Sequence, residues 1–197
     1  MTETDVAVIG GGPGGLSAAL FTAKNGLGTT VFDTDDTGVY AAKLRNYLGI
    51  EEMSGNEFIH TARQQVDGHG ATRKQDEAVK DVEQVDEGFR VTTDGDDGDG
   101  DGDGEYHATY VVLATGYPCE LAKELGCDVG RLDTVEIDAD SETTVANAYA
   151  VGEATRVQKI QVAISVGQGA TAAIDILSAE YNEPFHDYDK SLHGGYG

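Results

Sequence analysis

The 197-residue sequence contains no tryptophan and only three prolines, two cysteines, and 13 lysines and arginines, against 36 aspartates and glutamates. Its formal net charge of −23 repels phosphate backbones and anionic headgroups. The sequence therefore lacks the excess of basic residues with which nucleic-acid-binding proteins contact phosphates. We therefore expect neither nucleic acid nor a membrane surface as a partner.

The few cysteines and histidines also exclude common metal and redox motifs. Cys119 and Cys127 form a C-x7-C arrangement, which matches neither a zinc pattern nor C-x-x-C, and the five histidines lack ligand spacing. We expect no metal site. The sequence also lacks a signal peptide and an unbroken apolar run of the ~20 residues that a membrane span needs. These absences predict a cytoplasmic protein.

The acidic residues are spread along the whole chain rather than collected in a tail. Strong screening, with a Debye length of ~3 Å near 1 M salt, removes the self-repulsion of such a surface. The pattern is typical of proteins that work in molar salt. We expect a halophilic protein that loosens at low ionic strength.

The N-terminal segment has the spacing of a β-α-β unit. Residues 5–9 (DVAVI) predict a strand, the helical pattern begins at Leu16, Gly26 is placed to cap that helix, and residues 29–33 (TTVFD) predict a second strand. Parallel strands need such a crossover. With 27 glycines and 7% aromatic residues, the composition also suits a tightly wound α/β domain.

A glycine motif lies between this strand and helix. Gly10, Gly12 and Gly15 fit G-x-G-x-x-G, in which the glycines permit a tight turn, a close approach to pyrophosphate, and close helix–strand packing. Free N–H groups at the helix start would bind the phosphates. Asp33 ends the second strand, where a carboxylate can accept hydrogen bonds from an adenosine ribose. The motif predicts a dinucleotide site without distinguishing FAD from NAD.

Four later segments carry a family resemblance. They are RNYLGIEEMSGNEFI (45–59), YVVLATG (110–116), VANAYAVGEA (145–154) and the helical QVAISVGQGATAAIDIL that follows. Together with VIGGGPGGLSAAL they resemble the FAD domain of the thioredoxin reductase family of flavoproteins. The resemblance implies an α/β fold, with a Rossmann-type parallel central sheet plus a three-stranded antiparallel excursion.

The resemblance implies FAD as cofactor. The implied cofactor-binding residues are Gly10, Gly12, Pro13, Gly14, Gly15, Asp33, Asn46, Ala78, Val79, Thr115, Gly116, Gly152, Glu153, Gln161, Val162 and Ala163. The glycine loop would hold the pyrophosphate. Ala78 and Val79, on the strand after the second helix, would offer backbone groups to the adenine.

The flavin half of FAD would lie near other residues of this set, among them Asn46 and residues 161–163. Asn46, with its neighbour Tyr47, would approach the flavin. Residues 161–163 would direct N–H groups at the edge of the flavin that is anionic when reduced, because a helix N-terminus carries about half a positive charge.

The sequence departs from the family in three ways. Residues 117–144 form only a short bridge where the family inserts its NADPH domain, and no second G-x-G-x-x-G is present. The family's redox C-x-x-C, which lies in that domain, is absent too. Glu153 stands where the family has an aspartate that holds the ribityl chain. We expect one FAD-binding domain over residues 1–183 and a polar tail over 184–197.

The acidic run from Asp94 to Glu105 resembles a calcium loop only in part. Asp94, Asp96 and Glu105 fall at positions 1, 3 and 12 of an EF-hand. Position 5 is Gly98, which has no ligand side chain, and position 6 is Asp99 in place of the glycine that the turn needs. We interpret the run as a solvated hairpin loop that associates loosely with cations.

Three functions remain open from the sequence. The first is an FAD-dependent oxidoreductase that receives electrons from NAD(P)H or a ferredoxin-type protein. The second is a non-catalytic FAD-binding module or a subunit of a redox complex. The third is a disulfide reductase that uses Cys119 and Cys127. The family pairs through its FAD domains, so the resemblance also implies a homodimer.

The third function depends on the environment of the cysteines. If Cys119 starts a helix over ELAKELG, the helix N-terminus would lower the pKa of its thiol. An intact helix would separate Cys119 and Cys127 by about 12 Å, beyond the reach of a disulfide.

Overall fold

The computed structural model describes residues 2–95 and 104–188. The strands are β1 (Thr2–Ile9), β2 (Thr29–Asp33), β3 (Lys43–Leu44), β4 (Met53–Ser54), β5 (Thr72–Gln75), β6 (Val79–Val85), β7 (Gly88–Thr93), β8 (Glu105–Leu113) and β9 (Ala148–Ala150). The helices are α1 (Pro13–Lys24), α2 (Gly55–Gly68), α3 (Glu120–Glu124) and α4 (Val162–Tyr181). Two short 3₁₀ turns, Gly38–Ala41 and Gly152–Ala154, lie between them.

Seven of these strands form one mixed sheet in the order β5-β2-β1-β8-β7-β6, and β9 also pairs with β8. The long strand β8 belongs to two regions. It pairs in parallel with β1 along nearly its whole length, from Tyr106 to Leu113. On its other edge, its N-terminal half pairs antiparallel with β7 and its C-terminal end pairs in parallel with β9. The expected α/β fold, a parallel sheet with an antiparallel excursion β6-β7-β8, is confirmed. The edge strand β5 and the small hairpin β3-β4 were not predicted.

Both faces of the sheet are buried, and successive side chains of each strand point to opposite faces. In β1, Val6 and Val8 pack on the face covered by α1, α2 and α4, whereas Ala7 and Ile9 pack on the opposite face. The bridge 117–144 covers part of that opposite face. Its buried residues there are Cys119, Ala122, Cys127 and Val135. The bridge is therefore part of the hydrophobic core.

Helix α1 begins earlier than the pattern predicted, at Pro13 rather than Leu16. Its end agrees with the prediction for Gly26, which has φ +92°. The Gly26 N–H donates to the Ala23 carbonyl, and the Leu27 N–H donates to the Thr22 carbonyl. This Schellman motif satisfies two carbonyls at the end of the helix, and it uses a left-handed conformation that glycine adopts without strain.

Helix α4 is long and apolar enough to span a membrane by length and composition alone. In the fold, its apolar side packs on the sheet and on α1. Ala172, Ala173, Ile176 and Leu177 are fully buried there. These four residues place one side of the helix in the hydrophobic core.

Three local expectations were wrong. Ala78 and Val79 do not lie on the strand that follows α2, because β5 follows α2 and Val79 begins β6. The helix after Cys119 has only five residues and ends at Glu124, since Gly126 reverses the chain with φ +92°. The strand expected in residues 145–154 covers only Ala148–Ala150.

Candidate dinucleotide-binding site

A cavity of about 690 Å³ lies at the carboxyl ends of β1, β2, β8 and β9. Parallel α/β sheets bind ligands at this edge, because loops and helix N-termini meet there. The predicted cofactor residues that line the cavity are Gly10, Gly12, Pro13, Gly14, Asp33, Ala78, Val79, Thr115, Gly116, Gly152, Glu153, Gln161 and Val162. The tertiary fold thus brings together segments that are far apart in sequence.

Three predicted residues do not line the cavity. Gly15 packs against the strand, where an added Cβ would lie 2.0 Å from the Gly10 carbonyl oxygen. Ala163 is exposed on the first turn of α4. Asn46 lies outside the lining, but its Nδ2 donates to Oε1 of Gln161 over 2.7 Å. The predicted flavin contact of Asn46 would therefore come from the rim.

The glycine loop folds tightly between β1 and α1. Gly10 has φ +115°, and a Cβ at this position would lie 2.3 Å from the carbonyl oxygen of Ala114, at the end of β8. Only glycine accommodates both constraints. The Gly12 position faces open space, with Oγ1 of Thr37 as the nearest atom to an added Cβ, at 3.6 Å. A ligand can therefore approach the backbone there.

Two long helices direct uncapped N-termini at the cavity. Neither α1, which follows Gly12, nor α4, which follows Gln161, has a side-chain cap or an acidic residue in its first turn. In α2, by contrast, Ser54 and Glu57 form a complete capping box. The free N–H groups and the positive dipole ends of α1 and α4 suit an anionic ligand.

The cavity has an acidic side-chain lining. Five lining residues are acidic, and none is lysine, arginine or histidine: the acids are Asp33, Asp36, Glu77, Glu120 and Glu153. A phosphate-bearing ligand would therefore depend on backbone N–H groups and helix dipoles for its neutralisation.

The acid at the end of β2, Asp33, already makes hydrogen bonds within the protein. Asp33 is buried, and its Oδ2 accepts a hydrogen bond from Nη2 of Arg63 over 2.5 Å. The same Nη2 lies 2.7 Å from Oδ1 of Asp35. Hydrogen bonds from Tyr40 and Arg63 lower the pKa of Asp35. Arg63 was not predicted, because it lies 30 residues beyond Asp33 in a helix without a recognised motif.

The opposite end of the cavity is built around Gly152, which has φ +72°. Its N–H donates to Oε1 of Gln168, and Nε2 of Gln168 donates to Oγ1 of Thr155. Glu153 is exposed to the cavity and makes no hydrogen bond through its side chain among the described residues. Its predicted contact with a ribityl chain stays a prediction.

Both cysteines lie outside the cavity lining, and both are free thiols buried in the core. Burial raises the pKa of Cys119 and of Cys127. The expected lowering of the Cys119 pKa was wrong, because desolvation exceeds the influence of a five-residue helix. Cys119 accepts a hydrogen bond from Oγ1 of Thr115, and Cys127 donates one to Oγ1 of Thr143.

Part of the lining was not predicted. It includes the segment after β2, with Thr37, Gly38 and Ala42, and the bridge residue Leu121. None belongs to a recognised motif, and they line the cavity only because the chain folds back on the sheet edge. In the described ranges 2–95 and 104–188, no group of three His, Cys, Asp or Glu could hold a metal. Residues 96–103 of the acidic run lie outside those ranges.

Comparison with known proteins identifies the family. The family model "Pyridine nucleotide-disulphide oxidoreductase" matches residues 4–118 and 44–167, which together span most of the chain. The chain belongs to this family. By that description, its members are oxidoreductases.

Individual relatives match only part of their length. Thioredoxin reductase of Peptoclostridium litorale is 35% identical over 127 residues, 62% of this chain and 36% of that protein. An alkyl hydroperoxide reductase protein of Staphylococcus aureus is 31% identical over 94 residues, 45% of this chain and 18% of that protein. The match therefore spans well under half of these relatives.

Solved structures share the fold of this family member at low identity. A thioredoxin reductase from Gloeobacter violaceus has a TM-score of 0.82 at 16% identity, covering 97% of this chain and 99% of that chain. A ferredoxin-flavin thioredoxin reductase from Clostridium acetobutylicum has a TM-score of 0.78 at 18% identity, covering 93% and 100%. These similarities establish the fold alone.

Proposed function

We propose that this domain binds FAD and is an oxidoreductase that takes electrons from an external donor. The observation that carries the proposal is the pair of uncapped helix N-termini, α1 and α4, that line one cavity. FAD presents an anionic pyrophosphate and, when reduced, an anionic flavin edge, so one ligand would satisfy both helices.

The residues fit the two halves of this cofactor. The N–H groups at the start of α1 and the backbone at Gly12 would hold the pyrophosphate, while Asp33 would accept hydrogen bonds from the ribose. The start of α4, at Gln161 and Val162, would bind the flavin. When bound, FAD supplies the redox chemistry; the protein supplies binding, orientation and electrostatics.

An external donor is proposed because the bridge 117–144 packs on the sheet and forms no second nucleotide-binding unit. Its regular structure comprises the five-residue helix α3 and two isolated bridges, Val129–Val135 and Glu142–Tyr149. The donor would be NAD(P)H from solution or a ferredoxin-type protein. The similar structure from Clostridium acetobutylicum is described as a ferredoxin-flavin enzyme, which supports the second choice.

The cysteine-based alternative has less support. Cys119 and Cys127 are buried outside the cavity lining, and burial raises the pKa of both thiols. Thiolates are the reactive species in disulfide exchange, so these environments disfavour a redox dithiol. The non-catalytic module and the homodimer remain proposals of lower rank, and the cytoplasmic location and halophilic character stay predictions.

The test is an anaerobic visible spectrum of the purified protein after addition of FAD, followed by titration with NADH, NADPH or reduced ferredoxin. We expect flavin bands that bleach with one donor. Gly12→Ala should weaken FAD binding, because its Cβ enters the approach to the pyrophosphate, while the exposed Gly167→Ala variant retains it. A protein that binds no FAD would contradict the proposal, and bound flavin that no donor bleaches would favour a non-catalytic module.

A further inference from the structure

Arg63, on α2, joins two carboxylates beside the cavity. One nitrogen, Nη2, contacts Oδ2 of Asp33 over 2.5 Å and Oδ1 of Asp35 over 2.7 Å. Burial alone would lower the pKa of Arg63, but hydrogen bonds to Asp35 and Asp33 outweigh it and raise that pKa. The guanidinium is thus a permanent cation behind the predicted ribose acceptor.

The Asp33 carboxylate is fixed at both oxygens. Its Oδ1 accepts the Asp35 N–H over 2.9 Å, and its Oδ2 accepts from Arg63. It also lies against Gly11 so closely that an added Cβ there would be 1.9 Å from Oδ2. Each carboxylate oxygen has two acceptor positions, so both oxygens can still accept a hydroxyl group.

The arrangement leaves a polar atom of Arg63 unsatisfied. Its Nε is buried and has no hydrogen-bond partner within the described part of the chain. A buried donor without a partner forfeits its solvation, and most proteins avoid this. The guanidinium therefore contacts both carboxylates through Nη2 while its Nε stays unpaired.

We propose that Arg63 is a positioning residue for the adenosine half of the cofactor, which rests on the proposed function of FAD binding. It holds the Asp33 carboxylate against the glycine loop, oriented to accept the ribose hydroxyls before the ligand arrives. It acts through Asp33. The flavin half of the site, at the start of α4, is independent of it.

The experiment compares flavin-free wild type with Arg63→Gln, titrated with FAD, ADP and FMN. FAD and ADP contain the adenosine ribose, whereas FMN lacks it. In Arg63→Gln we expect the Kd for FAD and for ADP to rise about two- to tenfold, because the Asp33 side chain must then be ordered when the ligand binds. The Kd for FMN should not change.

The matched control is Arg73→Gln. Like Arg63, Arg73 on β5 forms an ion pair with a carboxylate: its Nε lies 2.6 Å from Oδ1 of Asp67. Its side chain is about as buried as that of Arg63. The control removes a charge that also acts on Asp33 through space but makes no hydrogen bond to it, so the affinities for FAD and ADP should change far less than in Arg63→Gln. Arg63→Lys keeps the charge without the planar fork and should give an intermediate loss of ADP affinity.

The outcomes separate the two proposals. Wild type that binds neither FAD nor ADP overturns the proposed function. Wild type that binds both, with unchanged ADP affinity in Arg63→Gln, overturns only the role of Arg63. Equal weakening of FMN and ADP would also overturn it, because that pattern indicates general distortion. If Arg63→Gln does not fold, Arg63→Lys decides by the same comparison.

Discussion

Helix α4 contains two glycines, Gly167 and Gly169, whose surroundings predict opposite effects of the same substitution. An added Cβ at the exposed Gly167 would meet no atom within 4 Å. At the buried Gly169, it would lie 2.1 Å from the Gly14 carbonyl oxygen and 3.0 Å from the Ala18 backbone nitrogen. Both of these atoms belong to α1, so Gly169 lies where the two helices touch.

The magnitudes follow from these contacts. Gly167→Ala should stabilise the protein by about 1 kcal/mol, the difference in helix propensity between glycine and alanine. Gly169→Ala gains the same helix propensity, but its added methyl group overpacks a contact with backbone atoms that cannot rotate away. This overpacking destabilises the protein by about 1–3 kcal/mol or more. We expect net destabilisation of up to about 2 kcal/mol. For a domain of this size, these changes correspond to Tm shifts of roughly 2–4 °C upward for Gly167→Ala and up to roughly 8 °C downward for Gly169→Ala.

Thermal unfolding followed by circular dichroism measures both variants under identical salt conditions. FAD affinity provides a second readout, because displacement of α4 from α1 would separate the two helix N-termini that line the cavity. Gly169→Ala should weaken FAD binding, whereas Gly167→Ala should not. A Gly169→Ala protein as stable as Gly167→Ala would refute the close helix contact and, with it, the arrangement of the site.

Three further predictions concern charge, thiols and a helix cap. The Tm should rise between dilute buffer and molar KCl, since screening weakens repulsion among the acids; an unchanged Tm would argue against a halophilic surface. Cys119 and Cys127 should react slowly with iodoacetamide in the native state. Burial raises the pKa of both thiols in the folded protein. The stability that the protonated thiols contribute is therefore complete below the unfolded pKa of about 8.5 and is lost as the pH rises through the folded pKa. The urea midpoint of unfolding should accordingly fall in alkali. Ser54→Ala removes the capping box with Glu57 and should cost about 1 kcal/mol of unfolding free energy, measured by urea denaturation; no change would mean that water caps α2 equally well.

Features that depend on neighbours in sequence were predictable. The glycine motif placed the turn between β1 and α1, the pattern of residues 29–33 matched β2, and Gly26 was correctly placed at the end of α1. Each follows from backbone sterics or from side-chain alternation, which act over a few residues. The meeting of Gly12 and Asp33 at one site followed from the spacing of the motif, whereas the placing of Gly152 at the same cavity followed from the family resemblance.

The tertiary structure alone decided what depends on packing between distant segments. It showed that the bridge 117–144 covers a sheet face, which buries Cys119 and reverses the expected direction of its pKa shift. It also placed Arg63 against Asp33. The burial and desolvation of a side chain depend on atoms from many segments of the chain. The contact between a guanidinium and a carboxylate, likewise, forms here only because a helix crosses the edge of the sheet. By itself, therefore, the sequence determined the βαβ unit and its glycine-rich turn, while the tertiary structure decided the charge environment and the burial of the thiols.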